Sequence, residues 1–243
     1  MNQLILWRML QEEIRLNTSF ASGKGFYSFP VLVAISGILA VTFSDEMISD
    51  MGYFEYLEVL HIGLMFYGVF AGSLAFFGNE FLERIFGYLG LIIGLPTTQP
   101  ITQRKMTLLY FIKEFIFYSF FTLIPAFLGG LVGAYLMEIS ILNLTKFGIS
   151  LMFSFIMGLA FAYLISSFYR ISWKLSVFGG LTTVAIYTIA LRNISVTYSL
   201  EWYFSGEIEY LAYSSITTIL LATSATLLVT DHYEQGAVRT IGY

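Results

Sequence analysis

Few side chains in this sequence are of the kinds that perform chemistry. Glu58 and His61 stand three residues apart, so a helix would place them on one face. A carboxylate beside an imidazole can exchange a proton, but an ionic pair close to a membrane surface explains the spacing as well. Lys113 and Glu114 form a second pair, and we expect the long lysine side chain to reach the lipid headgroups.

The sequence carries no motif for covalent catalysis. ATP hydrolysis needs a glycine-rich loop that ends in Lys-Ser or Lys-Thr, and Ser22-Gly-Lys-Gly is too short to be one. Neither Gly-x-Ser-x-Gly nor His-Glu-x-x-His occurs. Cysteine is absent, which excludes a thiolate metal site. We therefore expect a chain that is not an enzyme and that has no metal and no cofactor of its own.

The composition is that of an integral membrane protein. Of the 243 residues, 57% are hydrophobic and 12% are charged, and the mean hydropathy is +0.77. A soluble domain carries about 25% charged residues, so half of that fraction cannot cover a water-exposed surface. The net charge of −4 also argues against nucleic acid as a partner, since nucleic-acid-binding surfaces are basic.

Six apolar segments are long enough to cross the hydrocarbon of a bilayer as helices. They are 26–43, 56–77, 108–137, 147–168, 175–191 and 211–230. Strands of a membrane barrel would alternate apolar and polar residues, whereas these segments are apolar on all sides. The third segment is long enough either to project beyond the bilayer or to bend at Pro125 and the pair Gly129-Gly130. The sequence thus predicts an all-α integral membrane protein with a single transmembrane domain, 1–243.

Positive charge is divided unequally between the connections. With six spans both termini lie on one side, and that side receives every Lys and Arg except Lys146 and Arg192. Cytoplasmic loops are enriched in these two residue types. We therefore predict that both termini face the cytoplasm (N-in, C-in) and that the chain is a multi-pass protein of the cell membrane, in contact with its lipid.

The segment 80–105 is the one sizeable connection that is rich in positive charge. It opens with Glu80-Phe-Leu-Glu-Arg84 and continues as an apolar stretch that ends in Leu95-Pro96. After a polar run, the basic pair Arg104-Lys105 leads into the third span. Because proline ends a helix sharply, the segment is predicted to be a short, stiff helix and not a flexible linker.

This order of features resembles the cytoplasmic coupling segment of type-two ABC transporter permeases. In that family a separate ATPase acts on the membrane domain through such a segment, so the resemblance implies that a partner ATPase binds the ATP and Mg. It implies ATPase-coupling roles for Glu80, Glu83, Arg84, Leu91, Gly94, Leu95, Pro96, Arg104 and Lys105. The chain departs from the family pattern by inserting Thr97-Thr-Gln-Pro100 before the basic pair. It departs again where 109–113 replaces a glycine-lysine.

The first 24 residues predict an amphipathic helix that lies in the membrane interface. Between Asn2 and Leu16 the residues Arg8, Gln11, Glu12 and Arg15 form one polar stripe, and the rest of that surface is largely apolar. Asn17-Thr-Ser is predicted to end this helix. The helix is expected to anchor the chain. The permease resemblance adds that it is a connecting helix that contacts the ATPase, through Trp7, Arg8, Glu12 and Arg15.

The resemblance implies a permease subunit of an ATP-driven exporter. A chain with six spans and one coupling helix supplies half of a pathway, which implies a dimer with a second, identical or similar permease subunit. Aromatic and small residues deep in the spans favour a hydrophobic or amphipathic substrate, although close helix packing also explains them. Two alternatives stay open, namely a channel or accessory subunit without an ATPase, and a membrane-embedded processing enzyme.

Overall fold

The computed structural model describes residues 2–20, 22–86, 102–171, 174–175, 177–182 and 198–229. All elements in these ranges are helical, and none of them is a strand. The helices are α1 (Asn2–Phe20), α2 (Ser22–Thr42), α3 (Ser44–Met51), α4 (Tyr53–Phe86), α5 (Gln103–Tyr118), α6 (Ile124–Leu136), α7 (Ile141–Ile171), α8 (Tyr198–Ser205) and α9 (Ile208–Leu228). The backbone of 177–182 is also helical.

Five stretches of the described helices are long and apolar enough to cross a membrane. They are Gly25–Thr42, Tyr53–Ser73, Arg104–Leu136, Ile141–Phe168 and Ile208–Leu228. Each overlaps one of the predicted spans, so the prediction of an all-helical membrane protein is confirmed at this level. The remaining predicted span, 175–191, lies mostly outside the described residues.

The third predicted span contains a π-helical turn, Ser119–Leu123, between α5 and α6. The Ile124 N–H donates to the Ser119 carbonyl five residues earlier, and Pro125 follows directly. Proline has no N–H, and its ring crowds the carbonyl four residues before it. A wider π turn relieves that crowding within a continuous helix. The helix is thus irregular directly before Pro125, one of the positions at which a bend is predicted.

Helices α4 and α7 pack together most extensively, and glycine permits their close approach. A methyl group on Gly68 would collide with the Phe155 carbonyl, and one on Gly158 would collide with the Met65 carbonyl. Glycine at such positions brings two backbones into contact, and dispersion forces then hold the helices together in lipid. This contact is the centre of the described bundle, because α8 and α9 also pack on α7.

Helices α2 and α6 also approach closely at glycine residues. Gly37 lies against the Ala126 carbonyl, and Gly129 lies against the Ala34 carbonyl. The long helix that runs from α5 to α6 therefore changes neighbours along its length. Its first part, α5, packs against α1, α4, α7 and α9, whereas its second part, α6, packs mainly against α2. The π turn lies at the change of neighbours.

The prediction that Asn17-Thr-Ser ends the first helix is wrong, because α1 continues to Phe20. The Asn17 Nδ2 donates to the Glu13 carbonyl at 2.9 Å, and the Thr18 Oγ1 donates to the Ile14 carbonyl at 2.8 Å. Asn and Thr side chains often compete with backbone groups for hydrogen bonds and so disfavour helices. Here they donate to carbonyls one turn earlier in the same helix. The helix is consequently compatible with this polar stretch.

The ends of the helices group into two sets. At one end the Tyr53 and Tyr203 hydroxyls are 2.8 Å apart, and Phe54 stacks on Phe204. At the other end Lys113 of α5 bonds to Glu13 of α1, and Arg104 at the start of α5 bonds to Val229 at the end of α9. We call the latter the α1 end of the bundle. These are the two sets that the predicted topology assigns to opposite sides of the membrane, and which side is cytoplasmic stays a prediction.

Candidate functional site

A buried ionic cluster joins α1 to α5 at the α1 end. The Lys113 Nζ lies 2.7 Å from the Glu13 Oε2 and 2.7 Å from the Glu114 Oε1. Lys113 and Glu114 are 5% and 4% exposed, and the Nζ also lies 5.4 Å from the centroid of the Tyr110 ring. Removing one member of a buried ion pair leaves an uncompensated charge and costs about 3–5 kcal/mol. The cluster is therefore a strong tether between the two helices.

The expectation that Lys113 reaches the lipid headgroups is wrong. Its ammonium is held inside the chain by Glu13 and Glu114, and only a small fraction of the residue is exposed. Charge-assisted hydrogen bonds to carboxylates are roughly twice as strong as neutral ones. Two of them, from Glu13 on α1 and from the adjacent Glu114 on α5, satisfy the charge better than an extended side chain would.

Glu13 is the residue of this cluster that the sequence pattern does not single out. Helical geometry places it opposite the stripe that contains Arg8 and Arg15, on the apolar side of α1 beside Met9 and Leu10. An acid on the apolar side of an amphipathic helix needs a buried partner. Together with a lysine inside an apolar span, Glu13 is the signal from which the pairing could be inferred.

Arg104 connects the start of α5 to the end of α9. Its Nε donates to the Val229 carbonyl at 3.1 Å, and Val229 directly follows the last residue of α9. The last carbonyls of a helix lack partners within the helix, and a basic side chain supplies one. One of the predicted ATPase-coupling residues thus bonds within the chain, while its side chain stays exposed.

The other predicted coupling residues are only partly described. Glu80, Glu83 and Arg84 lie in the last turns of α4, so that 80–86 continues the preceding helix. Lys105 is half-buried in the first turn of α5. The apolar stretch, with Leu91, Gly94, Leu95 and Pro96, lies outside the described residues. The structure therefore describes both ends of the predicted coupling segment 80–105, whereas the predicted helix within it lies outside the described residues.

The polar stripe of α1 faces away from the bundle. Arg8 is exposed, and Glu12 and Arg15 form an exposed ion pair at 2.6 Å. Such a surface pair contributes at most about 1 kcal/mol. Trp7 is 60% exposed and is free to lie at headgroup depth, where tryptophan is enriched. The predicted connecting-helix residues are thus on the surface, and Glu13 faces the bundle.

At the opposite end, His61 is bonded to Ser150 and not to Glu58. The fully buried imidazole lies with its Nδ1 2.8 Å from the Leu57 carbonyl and its Nε2 3.0 Å from the Ser150 Oγ. A carbonyl only accepts, so Nδ1 donates to Leu57, and Nε2 lies beside the Ser150 hydroxyl, which is also 2.7 Å from the Phe147 carbonyl. Both ring nitrogens are occupied, and the pair with Glu58 that the spacing allowed is not formed. His61 instead cross-links α4 to α7.

Two further hydroxyl pairs connect the described helices in their interior. Tyr67 and Thr122 lie 2.9 Å apart and join α4 to the π turn. Ser154 and Ser199 lie 3.0 Å apart and join α7 to α8. In the described part of the chain, no three His, Asp or Glu side chains are close enough together to hold a metal ion.

Comparison with known proteins gives no relative from which a role can be transferred. No protein-family model matches the chain, and neither a curated protein nor a solved structure is similar to it. The likeness to type-two ABC permeases therefore rests on the order of residues in 80–105 and on the predicted topology.

Proposed function

We propose that this chain is the membrane permease subunit of an ATP-driven ABC exporter. It works as a dimer with a second permease subunit, and a separate cytoplasmic ATPase drives it. One observation supports this most directly. The first turns of the third span are tied to α1 through Lys113 and Glu13, and to α9 through Arg104 and Val229. The proposed coupling helix leads straight into these turns, so a push on it moves three elements together.

The long helix offers a route for that movement. From Gln103 to Leu136 it spans roughly 50 Å at 1.5 Å per residue. Its first part packs on the α4–α7 bundle, and its second part packs on α2. A displacement applied at the α1 end therefore reaches α2 in the other half of the membrane. The π turn is the point at which the two parts can change their relative direction.

The positions of α7 and α8 support the six-span topology. Near the beginning of α7, Phe147 contacts Tyr203 of α8. Near its end, the Ser167 Oγ lies 2.8 Å from the Ala225 carbonyl, at the α1 end of α9. The chain between Ile171 and Tyr198 therefore connects opposite ends of the bundle. A membrane span in 175–191 accounts for that connection.

The charges in the described spans favour a hydrophobic or amphipathic substrate. Apart from Lys113 and Glu114, the ionisable side chains of these spans lie within about two turns of a span end. A pathway for a bare ion or proton usually contains ionisable groups deep in the membrane. The buried His61 and Ser150 offer no open site for a substrate, which gives the processing-enzyme alternative no support.

The proposal is tested by purifying the tagged protein from its native membrane in mild detergent and identifying what co-purifies. We expect an ATPase with a phosphate-binding loop in stoichiometric amount, and ATP turnover that the permease stimulates. Alanine replacement of 94–96 should release the ATPase, whereas Gly63→Ala, far from the coupling helix, should retain it. An intact oligomer that never carries an ATPase would instead favour the channel or accessory-subunit alternative.

A further inference from the structure

A groove of about 200 Å³ opens between α4, α7 and the helical residues 177–182. Its lining is formed by Val69, Ser73, Phe161, Ala162, Ile165, Ser166 and Gly180. Three of these residues are large and apolar, and the other four are small. None of them is charged. A ligand of this groove must therefore be almost entirely apolar where it contacts the protein.

Gly180 keeps the groove open. A methyl group added to this glycine would meet no atom within 4 Å, whereas one on the preceding Gly179 would contact the Phe168 ring. Behind the groove, a methyl group on Gly72 would lie 2.7 Å from the Ala162 Cβ, because α4 and α7 approach closely there. The close contact between α4 and α7 thus forms one side of the groove. On the other side the groove stays open because Gly180 has no side chain.

Ser166 places one hydroxyl group in the lining of the groove. It is 4% exposed and lines the groove, and its hydroxyl makes no hydrogen bond within the described part of the chain. The neighbouring Ser167 lies within hydrogen-bond distance of two carbonyls, and Ser73 donates to the Phe70 carbonyl. Leaving a buried hydroxyl unsatisfied is unfavourable. The ligand is therefore expected to bring one acceptor oxygen to Ser166.

The groove lies in the part of the membrane nearest the α1 end. Val69 and Ser73 lie about one to two turns before residue 77, where the predicted second span ends. Ser166 precedes Ser167, which bonds to α9 close to its end at the α1 end. By the predicted topology, this depth is close to the boundary between hydrocarbon and headgroups. The ester carbonyl oxygens of phospholipids are found there, so a phospholipid supplies both the apolar chain and the acceptor.

We propose that the groove binds one hydrocarbon chain of a membrane phospholipid from the leaflet at the α1 end. The carbonyl oxygen of the ester that attaches this chain to glycerol accepts a hydrogen bond from Ser166. A dry apolar cavity of about 150 Å³ is large enough to hold benzene, so this groove accommodates a segment of a lipid chain. The site does not depend on the proposed ATPase.

The test uses the full chain in detergent, with a trace of phosphatidylglycerol that carries a diazirine on one acyl chain. After irradiation, mass spectrometry locates the adducts. We expect them to concentrate on Val69, Phe161 and Ile165, and to decrease when unlabelled phosphatidylglycerol is added in excess. Adducts spread evenly over the apolar surface, without competition, would overturn the proposal. Competition by oleate but not by phosphatidylglycerol would also overturn it and would assign the groove to a free fatty acid.

Three variants sharpen the result. Gly180→Leu fills the groove and should abolish the adducts, whereas Gly63→Leu, at an α4 glycine that also has no atom near its added carbon, should leave them unchanged. Ser166→Ala should weaken competition by about 2- to 10-fold, the value of one hydrogen bond. Adducts that persist in a well-folded Gly180→Leu protein contradict the site. If that variant does not fold, unchanged affinity in Ser166→Ala contradicts it.

Discussion

The Lys113 ammonium lies 2.7 Å from the Glu13 carboxylate, although one hundred residues separate them in the sequence. This contact attaches the interfacial helix α1 to a membrane-spanning helix through charge and not through apolar packing. Glu114 is the other carboxylate on the same ammonium. An ion pair of low exposure holds α1 and α5 in one relative position. Replacing either charged residue should therefore disturb the packing of both helices.

Replacing Lys113 by methionine should destabilise the protein by about 3–5 kcal/mol, because two carboxylates would be left without their cation. The measurement is thermal unfolding in detergent. The double variant Glu13→Lys with Lys113→Glu again presents one ammonium between two carboxylates, and should recover part of the loss. Equal unfolding temperatures for wild type and Lys113→Met would show that the cluster is not a tether.

The His61 cross-link can be separated from the Glu58 alternative by a matched pair of variants. His61→Ala should cost about 1–3 kcal/mol, because it removes a fully buried ring that bonds to Ser150 and packs on Phe147. Glu58→Gln should change stability by no more than about 0.5 kcal/mol, since Glu58 is not the partner of the imidazole. A double-mutant cycle with Ser150→Ala measures the coupling. A larger effect of Glu58→Gln would reverse the assignment.

Because α4 and α7 are in close contact, the stability of the protein should depend steeply on side-chain size at their glycines. Gly158→Ala should destabilise the protein by about 1–3 kcal/mol, because the methyl group collides with the Met65 carbonyl. Gly63→Ala adds the same methyl group on α4 where no atom lies within 4 Å, and should be neutral or slightly stabilising. Unfolding temperatures that do not separate these two variants would contradict the packing described here.

The hydroxyl pair at the end opposite α1 predicts a pH dependence. Burial, and then the hydrogen bond with Tyr53, raises the pKa of Tyr203 above its ordinary value. The folded protein therefore holds this proton more firmly than the unfolded chain does. The associated stability is complete below the unfolded pKa of about 10 and is lost as the pH rises towards the folded pKa. In alkaline solution the unfolding temperature should fall more for wild type than for Tyr203→Phe.

The control for this titration is Tyr213→Phe, which changes an exposed tyrosine and should follow the wild-type curve. Parallel curves for wild type and Tyr203→Phe across the alkaline range would rule out the proposed contribution of Tyr203.

The proposed coupling route predicts a variant that binds the ATPase but does not respond to it. Glu13→Gln leaves 80–105 unchanged, so the ATPase should still co-purify with the permease. Because the tie between α1 and the third span is weakened, stimulation of ATP turnover should decrease several-fold. Glu46→Gln removes an exposed charge on α3, outside the proposed ATPase contacts, and should have little effect. Loss of ATPase binding in Glu13→Gln would show instead that α1 itself is the docking site.

The sequence was sufficient to predict the features that depend on neighbouring residues. Apolar length predicts five of the described spanning helices, and Pro125 marks the irregular turn, because both effects act within one helix. The partners of Lys113 and His61 could not be predicted in this way. These partners are determined by which helices pack together. Helical periodicity predicts which face of its helix a residue occupies, but not which other helix covers that face. Glu13 on an apolar face was the one local signal of such a contact.

The glycine contact between α2 and α6 also has a consequence for synthesis. Gly37 meets Ala126, and these residues are roughly ninety positions apart, so α2 leaves the ribosome long before its partner exists. The newly inserted α2 must remain in the bilayer with its glycine face against lipid. Glu13 of α1 likewise has no lysine partner until Lys113 has been synthesised. Assembly of the amino-terminal helices is therefore delayed until the third span is made. A nascent chain halted before that point would hold α1 and α2 without these two contacts.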